Sequence, residues 1–109
     1  MIAYFDSSSI VKWFFDEPYA DLTRSVKDET DIAITSILSY PEVLSAFNRA
    51  YREGRCSKPD MEFIRDEFLE IWYDFQWIKT SEFMVFNTRE LIFKHGLRGY
   101  DAVHLASAL

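Results

Sequence analysis

The first fifteen residues constrain the fold of this chain more than any other stretch. Ile2 to Phe5 is a short apolar run, Asp6 ends it, and apolar residues then recur at helical spacing from Ile10 to Phe15. This pattern predicts a buried strand, a carboxylate at its C-terminal tip and a helix that begins at once. In an open parallel sheet, ligands bind outside the carboxyl ends of the strands. Asp6 is therefore a candidate site residue, although N-capping of the helix explains it equally well.

The size and composition of the chain are those of one globular domain. Its 109 residues are 49% hydrophobic and 17% aromatic, with only three Gly and three Pro, which supplies a core and argues against disorder. The apolar runs fall far short of the roughly 20 residues that a membrane helix needs, and we find no secretory signal. The single cysteine, Cys56, fits a reducing compartment. We predict one domain over residues 1–109, in the cytoplasm and without a membrane.

The charge of the chain limits its partners. A formal net charge of −6 disfavours a broad basic surface for duplex DNA, because phosphate neutralisation needs clustered Lys and Arg. A nuclease whose acids hold metal ions stays open, because bound cations reverse the local sign. Cations nevertheless cluster in two places, where solvated helix faces or C-terminal turns also explain them. They are Arg49, Arg52 and Arg55, three apart on one predicted helical face, and Lys94, His95 and Arg98.

The remaining chain alternates short apolar runs with amphipathic segments. Residues 32–34 and 77–78 predict two further strands, and strand–helix–strand order is typical of a parallel sheet. Ser39 and Glu42 have the spacing of a capping box, and Pro41 fits the first turn of that helix. The sequence therefore predicts an α/β fold. The predicted helices cover about residues 20–27, 39–53, 57–75, 81–95 and 101–109.

Three acids occupy similar positions in this pattern. Asp6 follows the first strand, Glu42 lies in the first turn of the helix after the second strand, and Asp101 opens the last helix. In a parallel sheet Asp6 and Glu42 come from the same edge, and Asp101 joins them if its helix starts there. Each acid also suits the positive end of a helix. Converging carboxylates repel unless they share a hard cation such as Mg²⁺. Such a site suits phosphodiester hydrolysis, because the metal lowers the pKa of a bound water.

Three stretches of the sequence form a recognisable set. The first is Asp6-Ser7-Ser8 with Ile10 to Phe14 and Glu17-Pro18; the second is Thr35-Ser36 with Pro41 to Val43, Ala46-Phe47 and Arg49-Ala50; the third is His95 to Ala108. Together they resemble the signatures of a PIN domain of the VapC toxin type, and the third is the most specific. The match runs in order from Met1 to Leu109. This resemblance implies a three-layer α/β/α sandwich around a parallel sheet.

The resemblance also implies an activity. PIN domains of this type are Mg²⁺- or Mn²⁺-dependent endoribonucleases, usually the toxin of a toxin–antitoxin pair. They commonly form homodimers and are inhibited by a cognate antitoxin that inserts a segment at the site. Asp6, Glu42 and Asp101 fall on the first three acidic metal-site positions of the family. Ser8 and Ser36 fall where a hydroxyl would orient an acid or a metal-bound water.

One departure from the family pattern accompanies this resemblance. The family continues with a strand that carries a fourth acid and pairs beside the first strand, followed by a further helix and strand, whereas this chain ends at Leu109. We therefore expect three acids to hold one metal, and the first strand to form an exposed edge. Unpaired edges favour association, so the chain is expected to be a fragment, a truncated natural variant or a dimer. The alternative function is a catalytically impaired protein that retains only antitoxin- or self-binding.

Overall fold

The computed structural model describes residues 2–15 and 28–96. These residues form a parallel sheet of three strands in the order β1-β2-β3, together with four helices. The elements are β1 (Ile2–Tyr4), α1 (Ser7–Lys12), β2 (Ile32–Ser36), α2 (Ser39–Arg52), α3 (Lys58–Trp72), β3 (Gln76–Ile78) and α4 (Glu82–His95). The predicted α/β fold with a parallel sheet is confirmed. The helices predicted over 20–27 and 101–109, and with them Asp101, lie outside the described residues.

The sheet register brings the carboxyl ends of the strands to one edge. Ile2 pairs with Ile32 in the first ladder, and Ile34 pairs with Gln76 in the second. Both ladders continue beyond the strands. The N–H of Phe5 donates to the carbonyl of Ile34 at 2.8 Å, and the N–H of Ile37 donates to the carbonyl of Ile78 at 2.9 Å. The residues that follow β1 and β2 therefore emerge side by side.

An aromatic core fixes the helices against this sheet. The ring of Trp13 lies edge-on to Phe5 at 5.0 Å and stacks on Phe75 at 5.9 Å. Just after α1, Phe14 meets Phe47 of α2 edge-on at 5.3 Å. Such pairs contribute about 0.5–1.5 kcal/mol each beyond their buried area. The core therefore joins α1 firmly to α2. The buried cluster comprises Phe5, Ile10, Trp13, Val43, Phe47, Phe68, Trp72 and Phe75.

The predicted helix ends are largely confirmed. The hydroxyls of Ser57 and Ser81 each accept a hydrogen bond from the backbone N–H three residues later, at 3.2 and 3.1 Å. Gly54 and Gly96 have φ angles of +74° and +64°, a left-handed conformation that glycine adopts without steric cost. No helix in residues 2–15 and 28–96 is long and apolar enough to cross a membrane.

The predicted capping box at the start of α2 is wrong. Ser39 is the first helical residue, Leu38 occupies the N-cap position, and no side chain caps the helix. The cause is that β2 runs through Thr35 and Ser36, beyond the apolar run that predicted it, and both hydroxyl residues are fully buried. This places the hydroxyl of Ser39 beside Thr35 instead of over the first turn. Glu42 is therefore not explained by a capping role.

One edge of the sheet is uncovered among the described residues. Within residues 2–15 and 28–96, β2 is the only strand paired with β1. Ile2 at the start of β1 is 66% exposed, whereas Phe5 just beyond its end is buried. Whether the first strand forms a bare edge in the whole chain stays a prediction, because residues 97–109 lie outside the described residues. Within the described part, the exposure of β1 is concentrated at its N-terminal end, away from the carboxyl edge that carries Asp6.

Candidate active site

Asp6 stands where the sequence places it, at the tip of β1. It is exposed and serves as the N-cap of α1, with its Oδ1 accepting a hydrogen bond from the N–H of Ser9 at 2.8 Å. N-capping is therefore confirmed, but it does not exclude a second role. A carboxylate has two oxygens and about four lone-pair sites, and this bond occupies one of them. Asp6 can cap its helix and bind a cation at the same time.

Glu42 lies in the first turn of α2 and is half-buried. It faces a cavity of about 350 Å³ between α1 and α2, which Ser7 and Ser8 also line. These two serines directly follow Asp6 in the chain. The structure thus brings Glu42 to the same carboxyl edge of the sheet as Asp6, as the parallel arrangement predicts. Asp101 lies outside the described residues, so its position relative to the other two acids stays a prediction.

Three cations line the same cavity. They are Lys12 from α1, Arg49 from α2 and Arg55 from the turn after α2. The sequence predicts Arg49, Arg52 and Arg55 on one helical face, and this is wrong in part: α2 ends at Arg52, so Arg55 reaches the cavity from a turn. Arg52 is not among the lining residues. The apolar part of the lining consists of Val11, Phe15 and Ala46.

A buried pair of hydroxyls connects the two acid-bearing segments. Thr35 Oγ1 donates to the carbonyl of Phe5 at 2.7 Å and also lies 2.7 Å from Ser39 Oγ. A hydroxyl has one hydrogen and the carbonyl can only accept, so Ser39 must be the donor to Thr35. The chain of hydrogen bonds runs from Ser39 through Thr35 to Phe5. Thr35 and Ser39 are both 0% exposed.

This hydroxyl chain positions the acids. Phe5 directly precedes Asp6, and Ser39 lies three residues before Glu42, in the same helical turn. Because Thr35 bonds to both segments, the end of β1 and the start of α2 are held at a fixed separation. Sequence reasoning missed this role, because it treated Thr35 as the end of a strand and Ser39 as a cap. A hydroxyl residue directly after an apolar run, such as Thr35, is the sequence signal that could have indicated a buried hydrogen bond at this position.

The two serines predicted to orient an acid or a water have different surroundings. Ser8 is exposed and lines the cavity, two residues after the N-cap residue Asp6. Ser36 is fully buried, and its Oγ accepts a hydrogen bond from the N–H of Leu38 at 3.2 Å. Ser36 therefore shapes the turn between β2 and α2, which presents Glu42. Of the two serines, Ser8 lines the cavity that Glu42 faces and Ser36 does not.

The donor chemistry fits a divalent metal. Residues 2–15 and 28–96 contain no group of three or more His, Cys, Asp or Glu side chains arranged to hold a metal ion. They do supply the carboxylates of Asp6 and Glu42 at one sheet edge. Carboxylate oxygens are the ligands that Mg²⁺ prefers, and one or two of them with waters commonly suffice. These two residues therefore fit the metal that the sequence predicts.

Comparison with known proteins decides the family. The sequence profile of the PIN domain matches residues 3–109. The chain belongs to the PIN-domain family. "Ribonuclease VapC45" of Mycobacterium tuberculosis (strain CDC 1551 / Oshkosh) is 32% identical to this PIN domain over 108 residues, which is 99% of this chain and 75% of that protein. "Ribonuclease VapC49" of M. tuberculosis (strain ATCC 25618 / H37Rv) shows the same identity and coverage. The resemblance to a VapC-type PIN domain is confirmed.

Proposed function

We propose that this PIN domain is a metal-dependent endoribonuclease, the toxin of a toxin–antitoxin pair. The observation that carries the proposal is the cavity at the carboxyl edge of the sheet that Glu42 lines together with Ser7 and Ser8, the two residues that follow the N-cap Asp6. Family membership supports it, as do the two relatives that are named ribonucleases. The substrate is RNA, and the inhibitor is a cognate antitoxin protein.

Asp6, Glu42 and Asp101 are the proposed ligands of Mg²⁺ or Mn²⁺. When bound, such a metal lowers the pKa of a coordinated water and stabilises charge on the phosphate. The protein's own residues set the geometry: the N–H of Ser9 holds the Asp6 carboxylate, and the Ser39–Thr35–Phe5 chain fixes α2 relative to β1. One of the three carboxylates, or an acid outside the metal's direct ligands, would accept the proton of the attacking water.

A homodimer belongs to the same proposal. The side chains of Phe83, Phe86 and Phe93 on α4 are 78%, 75% and 85% exposed, and Ile2 at the edge of the sheet is 66% exposed. Exposed apolar patches in soluble proteins mark interaction surfaces. A second copy of the chain that packs on α4 would cover the three phenylalanines, and pairing along β1 would cover Ile2.

The test is cleavage of a mixed RNA pool with Mg²⁺ or Mn²⁺, compared with EDTA. Asp6→Asn, Glu42→Gln and Asp101→Asn should each lower the rate by about two orders of magnitude or more, because each removes a ligand of the metal that stabilises the transition state. Glu70→Gln is the matched control: it removes a charge from an exposed position of α3 and should leave the rate unchanged.

Two results would contradict the proposal. One is cleavage that persists in EDTA, and the other is cleavage that survives all three carboxylate substitutions. Folded wild-type protein that cuts no RNA with either metal would instead support the alternative, a protein that keeps only antitoxin- or self-binding.

A further inference from the structure

We propose that the cavity between α1 and α2 is a phosphate-binding subsite for the backbone of single-stranded RNA, formed by Lys12, Arg49 and Arg55. The inference rests on the proposed function, because it places this subsite beside the cleavage site. It assigns a specific task to residues that the metal chemistry does not use.

The first argument is the convergence of charge. The chain has a formal net charge of −6, yet the charged side chains that residues 2–15 and 28–96 contribute to the cavity are three cations and Glu42. Lys12 and Arg49 lie in the last turns of α1 and α2, where cations complement the helix dipole. That effect explains why each helix ends in a cation. It does not explain why two helices and a turn direct their cations into one cavity.

The second argument is the way in which Arg55 is held. Gly54, with φ of +74°, reverses the chain after α2, and the N–H of Arg55 donates to the carbonyl of Ala50 at 2.9 Å. The side chain is braced by Glu53, whose Oε2 lies 3.2 Å from Nε. A guanidinium has five N–H donors, so this ion pair leaves its terminal amino groups to bind a phosphate in bidentate fashion.

The third argument is the availability of the other two charges. Among residues 2–15 and 28–96, the side chains of Lys12 and Arg49 form no ion pair with a carboxylate. Both side chains therefore line the cavity without an ion-paired carboxylate in the described part of the chain. Arg49 provides planar bidentate geometry and Lys12 a compact point charge, and both kinds of side chain bind phosphate groups in proteins.

The position of the subsite follows from α2. Glu42 and Arg49 line the same cavity and are seven residues apart on one helix face, which is about 10 Å along the axis. Glu42 lies at the proposed metal site, so a phosphate held by Arg49 and Arg55 is one that neighbours the scissile phosphate. The volume of about 350 Å³ is at the small end of ligand pockets. It suits the backbone of a segment of single strand.

The test is binding of a fluorescein-labelled, mixed-sequence 12-nucleotide RNA to the full chain in excess EDTA, measured by anisotropy over a range of salt concentrations. Without metal the proposed cleavage does not occur, so binding is read separately from catalysis. Arg49→Gln and Arg55→Gln should each weaken binding at least about tenfold, and Lys12→Gln severalfold. Each variant should also reduce the salt slope by about 0.7 for every phosphate that its side chain neutralises in the wild type.

Arg52→Gln is the matched control, because it removes the same charge from the same helix at a position outside the cavity. It should change the affinity less than about twofold. Equal weakening by Arg52→Gln and Arg49→Gln would overturn the subsite, since general surface charge would then explain binding. Displacement of the RNA by poly-glutamate at equal charge concentration would also overturn it, because the cavity would then favour acidic peptide as much as phosphate.

The two proposals fail in different ways. If the wild type cuts RNA in a metal-dependent manner while the cavity variants bind RNA normally, the subsite is wrong and the nuclease stands. If binding depends on the cavity cations but no metal supports cleavage, the nuclease is wrong and the subsite stands.

Discussion

Replacing Thr35 with Val tests the hydroxyl chain that joins the two acid-bearing segments. Valine has nearly the same shape, so the change removes two hydrogen bonds of 2.7 Å without opening a cavity. It leaves the carbonyl of Phe5 and the hydroxyl of Ser39 buried without this partner. A stranded buried polar group costs about 1–3 kcal/mol. With partial relaxation of the two groups, Thr35→Val should lower the free energy of unfolding by about 2–4 kcal/mol, a large part of a typical total of about 5–15 kcal/mol.

The assay is urea denaturation followed by circular dichroism, with Thr88→Val as the matched control. Thr88 is also buried, at 7% exposure, but its Oγ1 donates to the carbonyl of Val85 within α4. Helix geometry gives that carbonyl a backbone partner as well, so the control should cost only about 0.5–1.5 kcal/mol. A loss for Thr35→Val that is no larger than the loss for Thr88→Val would refute the reasoning.

Two further predictions concern the cap and the apolar surface. Asp6→Ala should lower the free energy of unfolding by about 0.5–2 kcal/mol, because the bond from the N–H of Ser9 is removed. Asp6→Asn should change it by less than about 0.5 kcal/mol, since Asn caps helices as well as Asp; equal losses in thermal or urea unfolding would contradict the capping role. If the proposed dimer packs on α4, Phe86→Asp should shift it to monomer in sedimentation velocity, whereas Glu90→Gln on the same helix should not. A wild type that is monomeric at all concentrations would contradict the proposed dimer.

Local patterns predicted the framework of the fold well. The run from Ile2 to Asp6 predicted β1 and the cap of α1, because alternation of apolar runs with polar ends reflects burial along the chain itself. Ser81 and Gly96 predicted both ends of α4, since their hydrogen bonding and backbone conformation act within one turn. The parallel order of the strands also predicted that Asp6 and Glu42 lie at the same carboxyl edge of the sheet.

Long-range contacts were beyond the reach of the sequence. Ser39 and Glu42 have capping-box spacing, and nothing local distinguishes that box from a buried serine bonded to Thr35. The hydrogen bond that orients Thr35 toward Ser39 goes to the carbonyl of Phe5, which lies thirty positions from Thr35 along the chain. The sequence does not predict the basic cavity for a similar reason. The spacing of Arg49, Arg52 and Arg55 suggests one helix face, but α2 ends at Arg52, so Arg55 reaches the cavity from the turn that follows the helix.

The most direct test of the central claim is a Mn²⁺ titration of the full chain followed by electron paramagnetic resonance. If Asp6 and Glu42 share a metal at the carboxyl edge of the sheet, the wild type binds Mn²⁺ at a site that Asp6→Asn and Glu42→Gln each weaken at least about tenfold, while Glu70→Gln leaves it unchanged. Asp6→Asn is the sharper variant, because it keeps the helix cap and alters only the charge. Equal Mn²⁺ affinity in the wild type, Asp6→Asn and Glu42→Gln would contradict the account.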